Sequence, residues 1–194
     1  MPPVLPFRRT PTAASKFEDL LRPHVEPLYR LAFRFTGSVA DAEDLVQNVL
    51  LKLYPRTPEL TDIEQLRPWL ARVLYRQYVD FARQRARSPI AGLATDTEGD
   101  DGPLDTLPAI EDGPEEHTER TGWRERILAA LERLNPEQRA VVVMHDVEGY
   151  SLEELETILQ TPLGTLKSRL HRARHRLRSL LAKEPFSLRE RVDG

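Results

Sequence analysis

Ser151-Leu152-Glu153-Glu154-Leu155-Glu156-Thr157-Ile158-Leu159-Gln160-Thr161-Pro162-Leu163-Gly164-Thr165-Leu166-Lys167-Ser168-Arg169-Leu170-His171-Arg172-Ala173-Arg174-His175-Arg176-Leu177-Arg178 is the stretch whose reading decides the fold. Ser151 followed three residues later by Glu154 is a reciprocal capping pattern, which predicts a short helix over about Leu152 to Leu159. Gln160-Thr161-Pro162 leaves room only for a tight connection, and a second helix starts near Leu163. At roughly 100° per residue, Leu166, Leu170, Ala173, Leu177, Leu180 and Leu181 share one stripe. Lys167, Ser168, His171, Arg172, Arg174, His175, Arg176 and Arg178 cover the rest, with six Lys/Arg and no acid between Lys167 and Arg178. This is a helix-turn-helix candidate whose second helix suits a major groove, because long cations reach phosphates while short polar side chains reach base edges. The competing reading is an ordinary surface helix with a solvated cationic face; the capped helix and turn before it weigh against that. His171 and His175 have the i, i+4 spacing of metal ligands, but no third ligand accompanies them and the surrounding cations repel a metal, so none is expected.

Working toward the N-terminus, Asn135-Pro136-Glu137-Gln138 supplies a cap, a proline at the first helical position and a glutamine at the third. That cap assigns the apolar run Ala140 to Met144 to a helix rather than a strand. Leu20, Leu21, His24, Val25, Leu28, Leu31, Ala32 and Phe35 recur at spacings of three and four, with Gly37 as the stop and Pro23 and Pro27 expected to kink or delay that helix. Ser38 caps a helix over Ala42 to Tyr54, Thr61-x-x-Glu64 reads as another start, and Trp69 to Arg87 forms a long amphipathic segment after Pro68. Most of the sixteen prolines fall at helix ends or in the tails, and strand signals are nearly absent, so the fold class is all-α.

Charge divides the 194 residues into domains. Residues 1–90 hold 14 Lys/Arg and 10 Asp/Glu, residues 91–122 hold one and ten, and residues 123–194 hold 13 and 11, giving +4, −9 and +2. The net charge of −3 therefore hides two basic ends and an acidic middle that also carries five of the nine glycines. That middle has the composition of a solvated linker. The expected organisation is an N-terminal extension over 1–15, a helical domain over 16–90, the acidic linker over 91–122, a helix-turn-helix domain over 123–183 and a tail over 184–194. No apolar run approaches the roughly 18 to 20 residues of a membrane span, and the absence of cysteine excludes disulfides, zinc ribbons and thiol catalysis together. Prolines interrupt the N-terminus where a signal peptide needs an unbroken apolar stretch, so export is not expected.

Two N-terminal patterns carry chemistry. Asp41, Glu43 and Asp44 crowd the first turn of a helix, followed by Gln47. Complementing the helix dipole alone accounts for them; paired carboxylates also suit acid–base chemistry or a divalent ion, or an acidic docking patch for a basic partner. No glycine-rich loop or nucleophile–base pairing accompanies them, which weighs against an enzyme. Trp69, Arg72, Tyr75, Arg76, Tyr78, Phe81 and Arg83 interleave aromatics with arginines, a composition that suits unpaired bases and their phosphates. The alternative for that segment is a core helix with a solvated arginine face.

Taken together, these residues resemble the sigma factors of bacterial RNA polymerase, specifically the extracytoplasmic-function (ECF) group. Asp41-Ala42-Glu43-Asp44-Leu45-Val46-Gln47, Arg67-Pro68-Trp69-Leu70 and Asp80-Phe81 look like sigma region 2. Leu134-Asn135-Pro136-Glu137-Gln138-Arg139, Glu148-Gly149-Tyr150-Ser151-Leu152-Glu153-Glu154-Leu155 and Thr161 through Arg174 look like region 4. The resemblance implies a region 2 helical bundle and a region 4 helix-turn-helix joined by a flexible linker, in a non-catalytic chain of the bacterial cytoplasm without cofactor. It implies that Asp41, Glu43, Asp44 and Gln47 dock on the β′ clamp coiled coil of core polymerase, with the β flap as a second contact. Trp69, Arg72, Tyr75, Arg76, Tyr78, Asp80 and Arg83 would open and read the −10 element. Lys167, Ser168 and His171 would read −35 bases, while Thr165, Arg169, Arg172 and Arg176 hold phosphates. An anti-sigma factor is a further implied partner, and the acidic linker would thread the basic active cleft of the polymerase or serve as a tether. The alternative is a freestanding dimeric helix-turn-helix repressor bound to a palindrome.

Three positions depart from the family pattern. Arg76 stands where Asn is usual, and Gln160 replaces the usual turn glycine or similar small residue. Glu156 stands where a small residue packs the two helices of the motif, so it is expected to turn outward or to pair with Arg169 or Arg172.

Overall fold

The computed structural model describes residues 12–87 and 116–183. Its first helix, α1 (Ala13–Thr36), is capped by the Thr12 hydroxyl, which accepts from the Ser15 amide. Pro23 and Pro27 lie inside it, and α1 passes through both without interruption. An interior proline costs about 3 kcal/mol, and here the burial of Leu21, Leu28, Leu31, Ala32 and Phe35 along one face offsets that cost. Gly37 then ends the helix in the left-handed region at φ 73°, donating its amide to the Phe33 carbonyl.

Ser38 caps α2 (Val39–Leu53), which buries Ala42, Leu45, Val46, Val49 and Leu53 against α1. A 3₁₀ turn (Tyr54–Arg56) and the one-turn α3 (Thr57–Leu60) follow. Thr61 does not start a helix as its spacing to Glu64 predicts; its hydroxyl donates to the Pro58 carbonyl and closes the preceding turn. The long helix α4 (Leu66–Arg87) begins instead with Gln65, whose carbonyl accepts from the Trp69 amide. Pro68 thus falls in the first turn, where its missing N–H has no partner to lose. Leu70, Ala71, Leu74 and Tyr78 of α4 complete a three-helix core with α1 and α2.

The second half begins with α5 (Glu116–Glu132), which starts inside the stretch read as linker. Residues 88–115, the bulk of that acidic segment, lie outside the described residues, as do 1–11 and 184–194. Asn135 caps α6 (Pro136–Val142) as predicted, accepting from the Gln138 amide at 2.8 Å. The apolar run continues as one π turn (Val143–Val147), in which Val143 and Met144 are fully buried. The capping box at Ser151 and Glu154 forms in both directions and opens α7 (Leu152–Leu159). The last helix, α8 (Leu163–Lys183), buries Leu166, Leu170, Ala173 and Leu180, the seam predicted from its periodicity. The described residues contain helices and no strand, and none of those helices is long and apolar enough to cross a membrane.

The two domains pack on one another. Helix α1 touches α5, α6 and the π turn, and α4 touches α6 and α7, so that their buried side chains merge into one apolar cluster.

Candidate nucleic-acid interface

On α2, the stripe opposite the core presents Glu43, Asp44 and Gln47 to solvent, as a docking surface requires. Asp41 is more enclosed, and its Oδ2 accepts from Arg85 at 2.8 Å, which ties the start of α2 to the end of α4. No group of three or more metal-ligating side chains occurs among the described residues.

Helix α4 splits its predicted DNA readers between two environments. Tyr78 is only 3% exposed and stacks on Phe35 with ring centroids 4.7 Å apart. Desolvation pushes its hydroxyl up to about 12 despite the nearby Arg139 charge. Tyr78 is therefore part of the core in this structure, whereas the sequence reading places it at the −10 element. Trp69 and Arg72 are half-buried, Trp69 against the core and Arg72 with its Nε enclosed and unpaired. Tyr75, Arg76, Asp80 and Arg83 do converge, lining with Val79 and Glu137 a cleft of about 350 Å³. Glu137 comes from α6, so this cleft lies between the domains. Burial raises the Tyr75 pKa, and the Glu137 carboxylate adds to that rise.

Helix α8 exposes Lys167, Ser168 and Arg172, with Thr165 and His171 half-buried beside them. The Ser168 hydroxyl donates to the Thr165 carbonyl at 2.9 Å. Arg169 is held by Glu137 at 2.5 Å, and Arg176 lies half-buried further along α8. Arg174 is not part of a free cationic face: it forms a bidentate pair with Asp146 at 3.0 and 2.6 Å, fixing α8 to the π turn.

Glu156 is exposed, the outward orientation that is one of its two expectations. Its Oε1 accepts from the Leu163 amide at 2.9 Å and so caps the recognition helix, a favourable place for a carboxylate. Gln160 is the non-glycine residue with positive φ, at 52°, among the described residues. A side chain there costs about 1–2 kcal/mol, and Gln160 Oε1 is engaged by Arg76 at 2.7 Å. Two departures from the family pattern thus bond to each other across the domain interface.

Sequence reasoning missed that interface. Arg139 is 8% exposed and donates from Nη1 to the Phe35 carbonyl at 2.6 Å, while its Nε has no partner. The bond satisfies a carbonyl in the last turn of α1 and sets a cation at the negative end of the helix dipole. Desolvation lowers the Arg139 pKa, the neighbouring Tyr78 and Glu132 opposing that shift. Glu148 accepts from Arg34 and lies 3.7 Å from Arg67, whose guanidinium also donates to the Glu148 carbonyl and covers the Tyr150 ring.

The family model for sigma-70 region 2 matches residues 20–88, and that for sigma-70 region 4 matches residues 124–177. The ECF RNA polymerase sigma factor SigE of Mycolicibacterium smegmatis is 37% identical over 173 residues, covering 88% of this chain and 63% of the relative, so the chain spans under two thirds of that protein. The RNA polymerase sigma-E factor of Streptomyces avermitilis is 31% identical over 176 residues, which cover 90% of this chain and 89% of the relative. Among solved structures, the sigma factor RpoE in complex with the anti-sigma factor NepR from Bartonella quintana superposes with a TM-score of 0.61 at 26% identity, covering 86% of this chain and 96% of that one. With acidic α2, aromatic and basic α4 and the helix-turn-helix of α7 and α8 in the matching order, the chain belongs to the ECF group of sigma-70 family RNA polymerase sigma factors.

Proposed function

We propose that this chain is a dissociable promoter-specificity subunit: it binds core RNA polymerase and directs initiation by recognising −10 and −35 elements. The observation that carries this reading is one chain in which an exposed acidic face on α2, within the region 2 match, precedes a cationic recognition helix α8 that begins within the region 4 match. In this reading Asp41, Glu43, Asp44 and Gln47 dock on the β′ clamp coiled coil, whose basic surface they complement. Trp69, Arg72, Tyr75, Arg76, Asp80 and Arg83 serve the −10 element. Lys167, Ser168 and His171 read −35 bases, Thr165, Arg169, Arg172 and Arg176 hold phosphates, and the second domain also meets the β flap.

Catalysis belongs to the polymerase, so the chain works in the bacterial cytoplasm without a cofactor of its own. The B. quintana relative is bound by an anti-sigma factor, and a regulator of that kind fits this chain as well. The region 2 match distinguishes the reading from a freestanding dimeric repressor, which needs no polymerase-docking helix. The test is equilibrium binding of the full chain to purified core polymerase. Glu43→Ala with Asp44→Ala is expected to weaken binding about tenfold or more; unchanged affinity would refute the assignment of α2.

A further inference from the structure

The names of the two promoter elements set a length. Positions −10 and −35 are about 25 base pairs apart, or about 85 Å of duplex at 3.4 Å per step. In this structure the surfaces assigned to them touch. Arg76 of the −10 face donates to Gln160 in the turn that leads into the −35 helix, at 2.7 Å. Arg169 of the −35 helix holds Glu137, and Glu137 lines the same cleft as Tyr75, Arg76, Asp80 and Arg83. A single arrangement cannot serve both elements, so the domains must separate on a promoter. The 28 positions between Arg87 and Glu116 amount to at most about 95 Å of chain, so length alone does not forbid this.

We propose that the chain carries its own interdomain latch, in which Gln160 holds Arg76 and Glu148 holds Arg34 and Arg67, so that the C-terminal domain stays against the edge of the −10 face, with Arg76 engaged, until the domains part. Three observations support it. Gln160 occupies a left-handed conformation that a glycine would adopt without strain, and its side chain is spent on the other domain. The Glu148 side chain is 13% exposed and sits between two arginines of the N-terminal domain, so its charge is matched only while the domains are together. Glu137 presents a carboxylate within the cleft that Arg76 and Arg83 line, where a DNA phosphate would otherwise lie. Closure commits Arg76 Nη2 to Gln160 and keeps the Glu137 carboxylate in the cleft, so closure and −10 binding compete.

The latch rests on assigning the α4 face to −10 DNA, and the experiment separates the two claims. The chain has no cysteine, so Asp62→Cys with Ala182→Cys, both exposed positions in different domains, gives a clean pair of dye sites. Single-molecule energy transfer on the full chain then reads the open-to-closed ratio without any promoter. Gln160→Gly, which relieves the backbone and so keeps the fold, is expected to raise that ratio about fivefold, and Gln160→Gly with Glu148→Ala about thirtyfold. Affinity of the free chain for a fluorescein-labelled non-template 12-mer from a mapped −10 region should rise by a similar factor. An unchanged ratio in the double variant would overturn the latch. Opening without a gain in 12-mer affinity would overturn the claim that closure competes with −10 binding. Failure of the sigma reading itself appears elsewhere, as an absence of promoter-directed transcripts from the wild-type chain.

Discussion

Replacing Arg139 with methionine isolates what the buried guanidinium contributes. The substitution keeps an unbranched apolar stem but removes the donor to the Phe35 carbonyl, a 2.6 Å bond in a site where Arg139 is 8% exposed. A hydrogen bond to a charged group contributes about 1.5–3 kcal/mol, and a buried acceptor left unmatched costs about 1–3 kcal/mol as part of the same loss. Against this stands the relief of desolvating a guanidinium whose Nε has no partner. The net expectation is a destabilisation of about 2 kcal/mol, which at a urea m-value of about 2 kcal/mol/M lowers the midpoint by about 1 M. The chain offers a direct assay, because its two tryptophans, Trp69 and Trp123, lie one in each domain. In otherwise wild-type chains, Trp69→Phe and Trp123→Phe leave one reporter per domain. Their transitions should coincide while Arg139 joins the domains and diverge once Arg139→Met uncouples them. An unchanged midpoint with coincident transitions would refute the role given to Arg139.

Three further outcomes follow from single sites. Tyr78 has its pKa raised to about 12 by burial, against about 10 when unfolded, so its contribution is complete below pH 10 and is lost as pH climbs toward 12. Denaturation profiles should show a loss of roughly 2–3 kcal/mol over that window that Tyr78→Phe reduces; equal pH slopes in both chains would contradict it. Glu156→Ala removes the cap on Leu163 and should cost about 0.5–2 kcal/mol by thermal unfolding, with loss of amide-exchange protection confined to the start of α8. Leu166→Ala, at a fully buried seam position, should cost about 2–5 kcal/mol in the same assay, whereas exposed Lys167→Ala should leave stability within about 0.5 kcal/mol.

Most of the helices were legible because their signals are local. Ser38, Asn135 and the Ser151–Glu154 box each satisfy amides within three residues, and Gly37 ends α1 through its own backbone. The seam of α8 was legible for the same reason, since a helical period places Leu166, Leu170 and Ala173 together before any partner is known. Pro23 and Pro27 do not delay the start of α1, because burial of Leu21, Leu28, Leu31, Ala32 and Phe35 outweighs their local cost. The core packing of Tyr78 was not legible because an aromatic on an amphipathic helix suits a core and a base stack equally; only Phe35, 43 positions away, shows it. The interface was invisible because Arg139, Glu148 and Gln160 answer to residues 104, 114 and 84 positions distant. A faint signal did exist: Arg139 is a charge immediately before the apolar run Ala140 to Met144.

The central claim, that this chain confers promoter specificity on RNA polymerase, is tested most directly by run-off transcription with purified core enzyme on genomic templates, followed by sequencing of the transcript starts. Adding the chain should produce transcripts from a discrete set of start sites sharing upstream elements near −10 and −35, and Asp44→Ala should diminish them at every site alike. Starts that are the same with and without the chain would contradict the account.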